Sequence, residues 1–203
     1  LNSKVPKKPY SIALSLADKI DTLVGFFGIN QKPTSSKDPF ALRRLALGIV
    51  KIIIENKKDF KIIDLISYSS SLYMDQGFKF GNELLQKELS DFLTDRLKFY
   101  MKEEKIRHDI IQASTNNNSL DKFVIIFGKA KSLNKIINKQ NGIDIISSYK
   151  RASNILDSEL DKLNVELSNT TDPGIFKTEL EKNLFKKINE LRKYFLSINK
   201  DEN

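Results

Sequence analysis

The chain has no cysteine and no tryptophan, a single histidine, and only eight glycines and five prolines in 203 residues. Without cysteine there is neither a disulfide framework nor a thiolate for metal binding or nucleophilic attack. With one imidazole, at His108, a zinc site has almost no ligands to draw on. His108 stands between Arg107 and Asp109 at an expected helix start, where an exposed or capping role outweighs one as base or ligand. No apolar run is long enough to cross a bilayer. No secretory or transit segment is evident, so the expected setting is cytoplasmic, with no membrane partner. No glycine-rich phosphate loop and no catalytic constellation is visible. Leu1 stands where an initiator methionine would, and the chain is expected to be a piece of a longer protein.

What is present is apolar residues enough for a core, at 40%, and an excess of positive charge, +8. A chain of this length forms one large domain, or a domain plus part of another. The charge is uneven. Residues 1–37 carry +4, 38–113 carry +1, 114–156 carry +5 and 157–203 carry −2. Such a field favours a polyanionic partner. A composition rich in Lys, Ile and Asn is the other source of the same excess.

Nearly all apolar residues recur at helical spacing, and the expected fold is all-α, a helical bundle of about seven to nine helices. Helices are expected over 8–27, 39–56, 61–74, 81–104, 106–113, 119–139, 143–164 and 176–197. Loops are expected at 114–118 and 168–174. On the fourth helix Leu85, Leu89, Phe92, Arg96 and Tyr100 fall on one stripe. Phe123–Phe127 has strand propensity, but its continuation through Ala130, Leu133 and Ile137 favours a helix. Asn141-Gly142 separates two helices. On the helix after it, Ile145, Tyr149, Ala152, Leu156 and Leu163 form the expected buried stripe, with Lys150, Arg151 and Asn154 on a polar face. Two cations suit phosphates and an amide suits a base edge. Lys131, Lys135 and Lys139, four residues apart, make a cationic line that is either a solvated face or an RNA contact.

The densest signal is Ala-Asp-Lys-Ile-Asp-Thr-Leu-Val-Gly-Phe-Phe at 17–27, followed by Gln-Lys-Pro-Thr-Ser-Ser-Lys-Asp-Pro-Phe-Ala-Leu-Arg-Arg at 31–44. Gly25 and Gly28 are expected to close one helix. Asp38 and Pro39 are expected to start the next, as N-cap and first helical residue. That leaves residues 31–37 as a joint between two helical units. A bland helix start requires neither the Lys-Pro-Thr-Ser-Ser-Lys before it nor Arg43-Arg44 after it. Together the two blocks resemble the β subunit of bacterial heterotetrameric glycyl-tRNA synthetase. Weaker likeness continues over 91–113 and 149–184, including Lys150-Arg151-Ala152-Ser153-Asn154-Ile155-Leu156.

The resemblance implies that residues 1–30 are the C-terminal tail of a histidine–aspartate phosphohydrolase-like (HD-like) domain. Residues 38–203 would be a helical, DALR-like anticodon-binding domain, here C-terminally short of the family's length. The signature is interrupted, since Pro39-Phe40 separate Asp38 from Ala41-Leu42-Arg43. Asp18 resembles a late metal ligand of HD-like domains, but the upstream His and His-Asp ligands are absent. Pairing with Lys, or loop capping, is therefore the favoured reading for Asp18 and Asp21. The implied partners are glycine tRNA and the α subunit, with no DNA partner. The implied chemistry uses ATP and magnesium in the α subunit and no cofactor in this piece. The tRNA-contacting residues expected are Arg43, Arg44, Arg96, Tyr100, Lys131, Lys135, Lys150, Arg151 and Asn154. Arg96 and Tyr100 would face unstacked anticodon bases. A buried or half-buried ion pair with a nearby acid is the alternative for Arg96, and a tie to a neighbouring helix the alternative for one of Arg43 and Arg44. Two rival readings are the DALR-type domain of another synthetase and a scaffold for subunit contact only.

Overall fold

In a computed structural model of the chain, the described residues are 4–58, 60–115, 122–163 and 171–198. They form α1 (Pro9–Gly28), α2 (Leu42–Asn56), α3 (Ile62–Asp75), α4 (Asn82–Glu103), α5 (His108–Thr115), α6 (Phe123–Ile137), α7 (Gln140–Leu163) and α8 (Glu179–Ile198). A 3-10 turn occupies Pro173–Ile175. No strand occurs among the described residues, and the fold is all-α as expected. No described helix is long and apolar enough to cross a membrane. Parts of the two expected loops, and the helical turn expected from 119, lie outside the described residues. Contacts divide the chain into two compact units, 1–146 and 147–203.

The first unit is organised around α2. Leu42, Ala46, Ile49, Val50, Ile52, Ile53 and Ile54 are all buried, so the apolar face of the helix is broad and leaves one polar stripe. A helix of that kind needs neighbours on several sides. It has them in α1, α4 and α6, while α3 packs on α1 and α4, and α5 on α4 and α6. Helix α1 supplies Ile12, Leu16, Ile20, Leu23, Val24 and Phe27. Its Pro9 stands at the start, where the missing N–H costs nothing. Hydroxyls of Ser69 and Tyr73 on α3 donate to the Asp21 carboxylate at 3.3 Å each, tying α3 to α1. Asp21 therefore ties two helices through hydroxyl donors, which is neither the lysine pairing nor the loop capping expected of it.

Several local expectations are corrected. Helix α2 begins at Leu42, three residues later than expected. Pro39 and Phe40 form a turn, Phe40 stacks on Phe26 with ring centroids 4.1 Å apart, and Ala41 takes a left-handed conformation at φ 55°. Asp38 still caps, but by reaching forward: its two carboxylate oxygens accept from the amides of Leu42 at 2.8 Å and Arg43 at 3.1 Å. Gly25 lies inside α1 rather than closing it. A Cβ there would stand 2.6 Å from the Tyr73 hydroxyl, so the residue permits close helix approach. Helix α7 starts at Gln140, so Asn141 and Gly142 belong to its first turn. A Cβ on Gly142 would meet the Ile136 carbonyl oxygen at 2.2 Å, which makes this glycine a spacing requirement of a tight α6–α7 turn.

On α4 the buried line is Leu85, Leu89, Leu93, Leu97 and Met101. Of the expected stripe Leu85, Leu89 and Tyr100 are buried, while Phe92 and Arg96 sit half-buried on its flank and Leu93 and Leu97 take their place. Ile106 precedes α5 and is buried without being helical. The joint is a turn, in which the Thr34 amide donates to the Lys37 carbonyl at 2.9 Å and the Lys37 amide to Thr34 Oγ1 at 3.2 Å. The helices on its two sides, α1 and α2, belong to one core.

The second unit contains the later part of α7, the 3-10 turn and α8. Phe176 and Phe185 meet at 5.3 Å between ring centroids. The stripe expected to be buried on α7 is not. Ile145 and Tyr149 are 66% and 72% exposed, and Ala152 and Leu156 are exposed as well. The Leu163 side chain lies outside the described residues. The amphipathic period is real, but no described element covers the stripe.

Candidate nucleic-acid interface

Three of the expected arginines meet in one cavity. Arg43 and Arg44 from α2 and Arg96 from α4 line a recess of about 610 Å³, joined by Lys51 from α2, Lys19 from α1 and Lys4 from the segment before α1. Val5, Pro6, Leu47, Ile52 and Phe99 make up most of the rest of the wall, with Ser15 and Gly48, and every charged lining residue is positive. Cations gathered without acids attract polyanions and repel one another until an anion arrives.

Local structure explains the convergence. Arg44, Gly48 and Lys51 are spaced i, i+4, i+7 and share one face of α2. Gly48 leaves room for the aliphatic stem of Lys19, whose Cε lies 3.0 Å from where a Cβ would stand. The Lys19 ammonium then donates to Ser15 Oγ at 2.8 Å, with the exposed Asp18 carboxylate 3.9 Å away. Arg43 is tied down, because its guanidinium donates to the Thr34 carbonyl. It therefore acts partly as a brace between joint and helix. Arg44, Lys51, Lys4 and Arg96 form no ion pair among the described residues. The ion-pair alternative for Arg96 has no partner there. Its guanidinium lies 5.7 Å from the Phe92 ring centre and 5.8 Å from that of Phe99, and its buried Nε has no hydrogen-bond acceptor.

Tyr100 is not part of this recess. It is 8% exposed and its ring packs on Phe127 at 5.5 Å. Burial pushes its phenol above the ordinary value, and Glu104 and Glu55 push in the same direction. A base cannot lie on a ring so covered. The aromatic that lines the recess with Arg96 is Phe99, three residues along α4 and 42% exposed. Lys131 sits over Phe127 at 5.5 Å, and Lys131 and Lys135 are exposed along α6, whereas Lys139, expected to continue their line, is exposed in the turn before α7. Lys150, Arg151 and Asn154 are exposed on the part of α7 that belongs to the second unit.

Lys4, Lys19, Lys51 and Phe99 were not singled out from the sequence. The signal for Lys51 was there, in its helical spacing from Arg44. Nothing in the sequence marked Lys4 or Lys19 as neighbours of α2. No group of three or more His, Cys, Asp or Glu able to hold a metal gathers among the described residues. Arg107 and Asp109 pair through two hydrogen bonds, of 3.2 and 2.7 Å, leaving His108 exposed beside them.

The family model for glycyl-tRNA synthetase beta subunit matches residues 1–116. The glycine–tRNA ligase beta subunit of Dinoroseobacter shibae is 36% identical over 89% of this chain, and that of Cereibacter sphaeroides is 36% identical over the same share. The subunit of Rhodospirillum centenum is 38% identical over 82%. The chain spans only 28%, 26% and 23% of these three relatives.

Proposed function

Since this chain belongs to the glycyl-tRNA synthetase beta-subunit family, we propose that it is a tRNA-binding piece of a glycine–tRNA ligase. It holds glycine tRNA, at its anticodon region, while the α subunit joins glycine to the acceptor end using ATP and magnesium. This piece contributes positioning and specificity and carries no cofactor. Its first thirty residues are read as the end of the HD-like domain and residues 38–203 as the anticodon-binding domain.

The observation that carries the reading is the recess in which Arg43, Arg44 and Arg96 converge with three lysines and no acid. Phosphate contacts supply affinity and orientation, and base contacts supply sequence preference. The exposed cations of α6 and, separately, of α7 offer further contacts of the first kind, and Asn154 offers the second.

Fluorescence anisotropy with labelled glycine tRNA over a salt series tests this. Arg44→Ala and the double variant Lys150→Ala/Arg151→Ala should each weaken binding and lower the salt slope by about 0.7–0.9 per lost phosphate contact. Asn154→Ala should instead narrow the gap between glycine tRNA and an anticodon-swapped tRNA at nearly constant slope. A folded chain that binds neither tRNA would overturn the reading in favour of a scaffold for subunit contact.

A further inference from the structure

We propose that the cationic recess receives one unstacked nucleotide of a single strand, with its phosphate among Arg44, Lys51 and Arg96 and its base against Phe99. The inference rests on the tRNA reading and narrows it to a chemistry at one place. Four segments of chain contribute the walls, namely residues 4–6, α1, α2 and α4. Cations on an open face would serve a regular duplex, which offers its phosphates along an outer surface. A hollow of about 610 Å³ is the size of a small-ligand pocket and admits a group that protrudes from its strand.

The wall chemistry selects that group. With six cations and no acid lining it, the recess rejects a cationic ligand and accepts an anion. Arg96 lines the hollow with its guanidinium against two aromatic rings, and its Nε is buried without an acceptor. Phe99 lines the same hollow and keeps 42% of its surface in solvent. Rings and guanidinium planes are the surfaces on which splayed bases stack in single-strand recognition. An anion without a ring, such as inorganic phosphate, would use the cations and leave Phe99 idle.

The test uses the 203-residue chain and a labelled single-stranded RNA pentamer. A hairpin duplex, adenosine monophosphate and whole glycine tRNA are measured in parallel. The pentamer should bind more tightly than the duplex. Phe99→Ala should weaken the pentamer about tenfold with its salt slope unchanged, and Phe99→Tyr should restore it. Lys51→Ala should lower the slope by about 0.7. Circular dichroism confirms that each variant folds. Equal binding of duplex and pentamer, or a folded Phe99→Ala chain with full pentamer affinity, overturns the proposal. So does adenosine monophosphate competing at the concentration at which the pentamer binds, which would make this a free-nucleotide site. If glycine tRNA binding survives any of these results, the tRNA reading stands without the pocket. If no RNA binds at all, both fall.

Discussion

The two units of this chain are built from helices of the same amphipathic kind and bury them to opposite extents. In the first unit the stripes of α1, α2 and α4 lie within one continuous core, with Val24, Ala46, Ile49, Val50 and Met101 showing no exposed surface. In the second, Leu180, Leu184, Ile188 and Leu191 repeat at helical spacing along α8 and are all more than half exposed. Periodicity therefore tells which face of a helix is apolar and says nothing of whether another element meets it. What separates the units is the supply of neighbours: α2 has three packed against it, whereas within its own unit α8 has no described element covering its stripe.

Leucine truncations expose the contrast most sharply. Leu97 is 1% exposed, and Leu97→Ala should cost about 2–5 kcal/mol in urea unfolding, through lost burial and the cavity left behind. Leu184 is 62% exposed, and Leu184→Ala should change stability by no more than about 0.5 kcal/mol. A comparable cost at both positions would mean that the α8 stripe is covered in solution, and the contrast would collapse.

A smaller effect is expected where the first unit turns tightly. Gly142→Ala puts a Cβ against the Ile136 backbone, which cannot swing aside as a side-chain tip would. The cost should be about 1–3 kcal/mol, the range for overpacking, measured by the same unfolding. A neutral Gly142→Ala would show that the α6–α7 turn relaxes freely. Below that comes the start of α2. Asp38→Ala removes the acceptor for two helix amides and should cost about 1 kcal/mol, with faster amide exchange at Leu42 and Arg43 than in the wild type.

These cases also mark what the sequence could and could not reveal. Every α-helix was legible, because 3.6-residue periodicity persists whatever the helix packs against. Ends were less legible, and for identifiable reasons. Asp38-Pro39 carries the local chemistry of a helix start, but the stack of Phe40 on Phe26 belongs to the tertiary fold and moves the start to Leu42. Asn141-Gly142 carries the chemistry of a break, and only the position of Ile136 shows that the glycine is there for space. At the candidate site, Arg43, Arg44 and Arg96 were visible as cations near apolar stripes. That Phe99 and not Tyr100 lines the recess with Arg96 depends on the rotation of α4 against α2 and α6, which a single helical wheel leaves open. Lys19 and Lys4 come from outside α2 and α4 and become neighbours of the arginines only through packing.

The smallest expected effect concerns how α8 begins without a core behind it. Thr178 and Glu181 form a reciprocal cap: the Glu181 amide donates to Thr178 Oγ1 at 3.3 Å, and Glu181 Oε2 accepts from the amides of Thr178 and Lys177 at 2.7 and 2.8 Å. The Thr-x-x-Glu spacing was in the sequence and places the start at Glu179 rather than at the expected residue 176. Those bonds favour the charged carboxylate. The Thr178 amide leads, then its hydroxyl, then the Lys177 amide, and together they hold the Glu181 pKa below its ordinary value of 4.5. A lowered folded-state value means that the cap's contribution is fully present above that ordinary value. It is lost as pH falls through the lower one. Carboxyl NMR titration should therefore place the Glu181 midpoint below 4.5, and the amides of Lys177 and Thr178 should shift over the same interval. Glu181→Gln keeps an oxygen acceptor but has no charge to lose, so that acid-dependent shift should vanish while the rest of α8 changes little. If the two amides keep their acid transition in Glu181→Gln, the helix start is held by something other than this cap. The Thr178–Glu181 bonds would then not be what fixes the start of α8 in a unit that offers it no core.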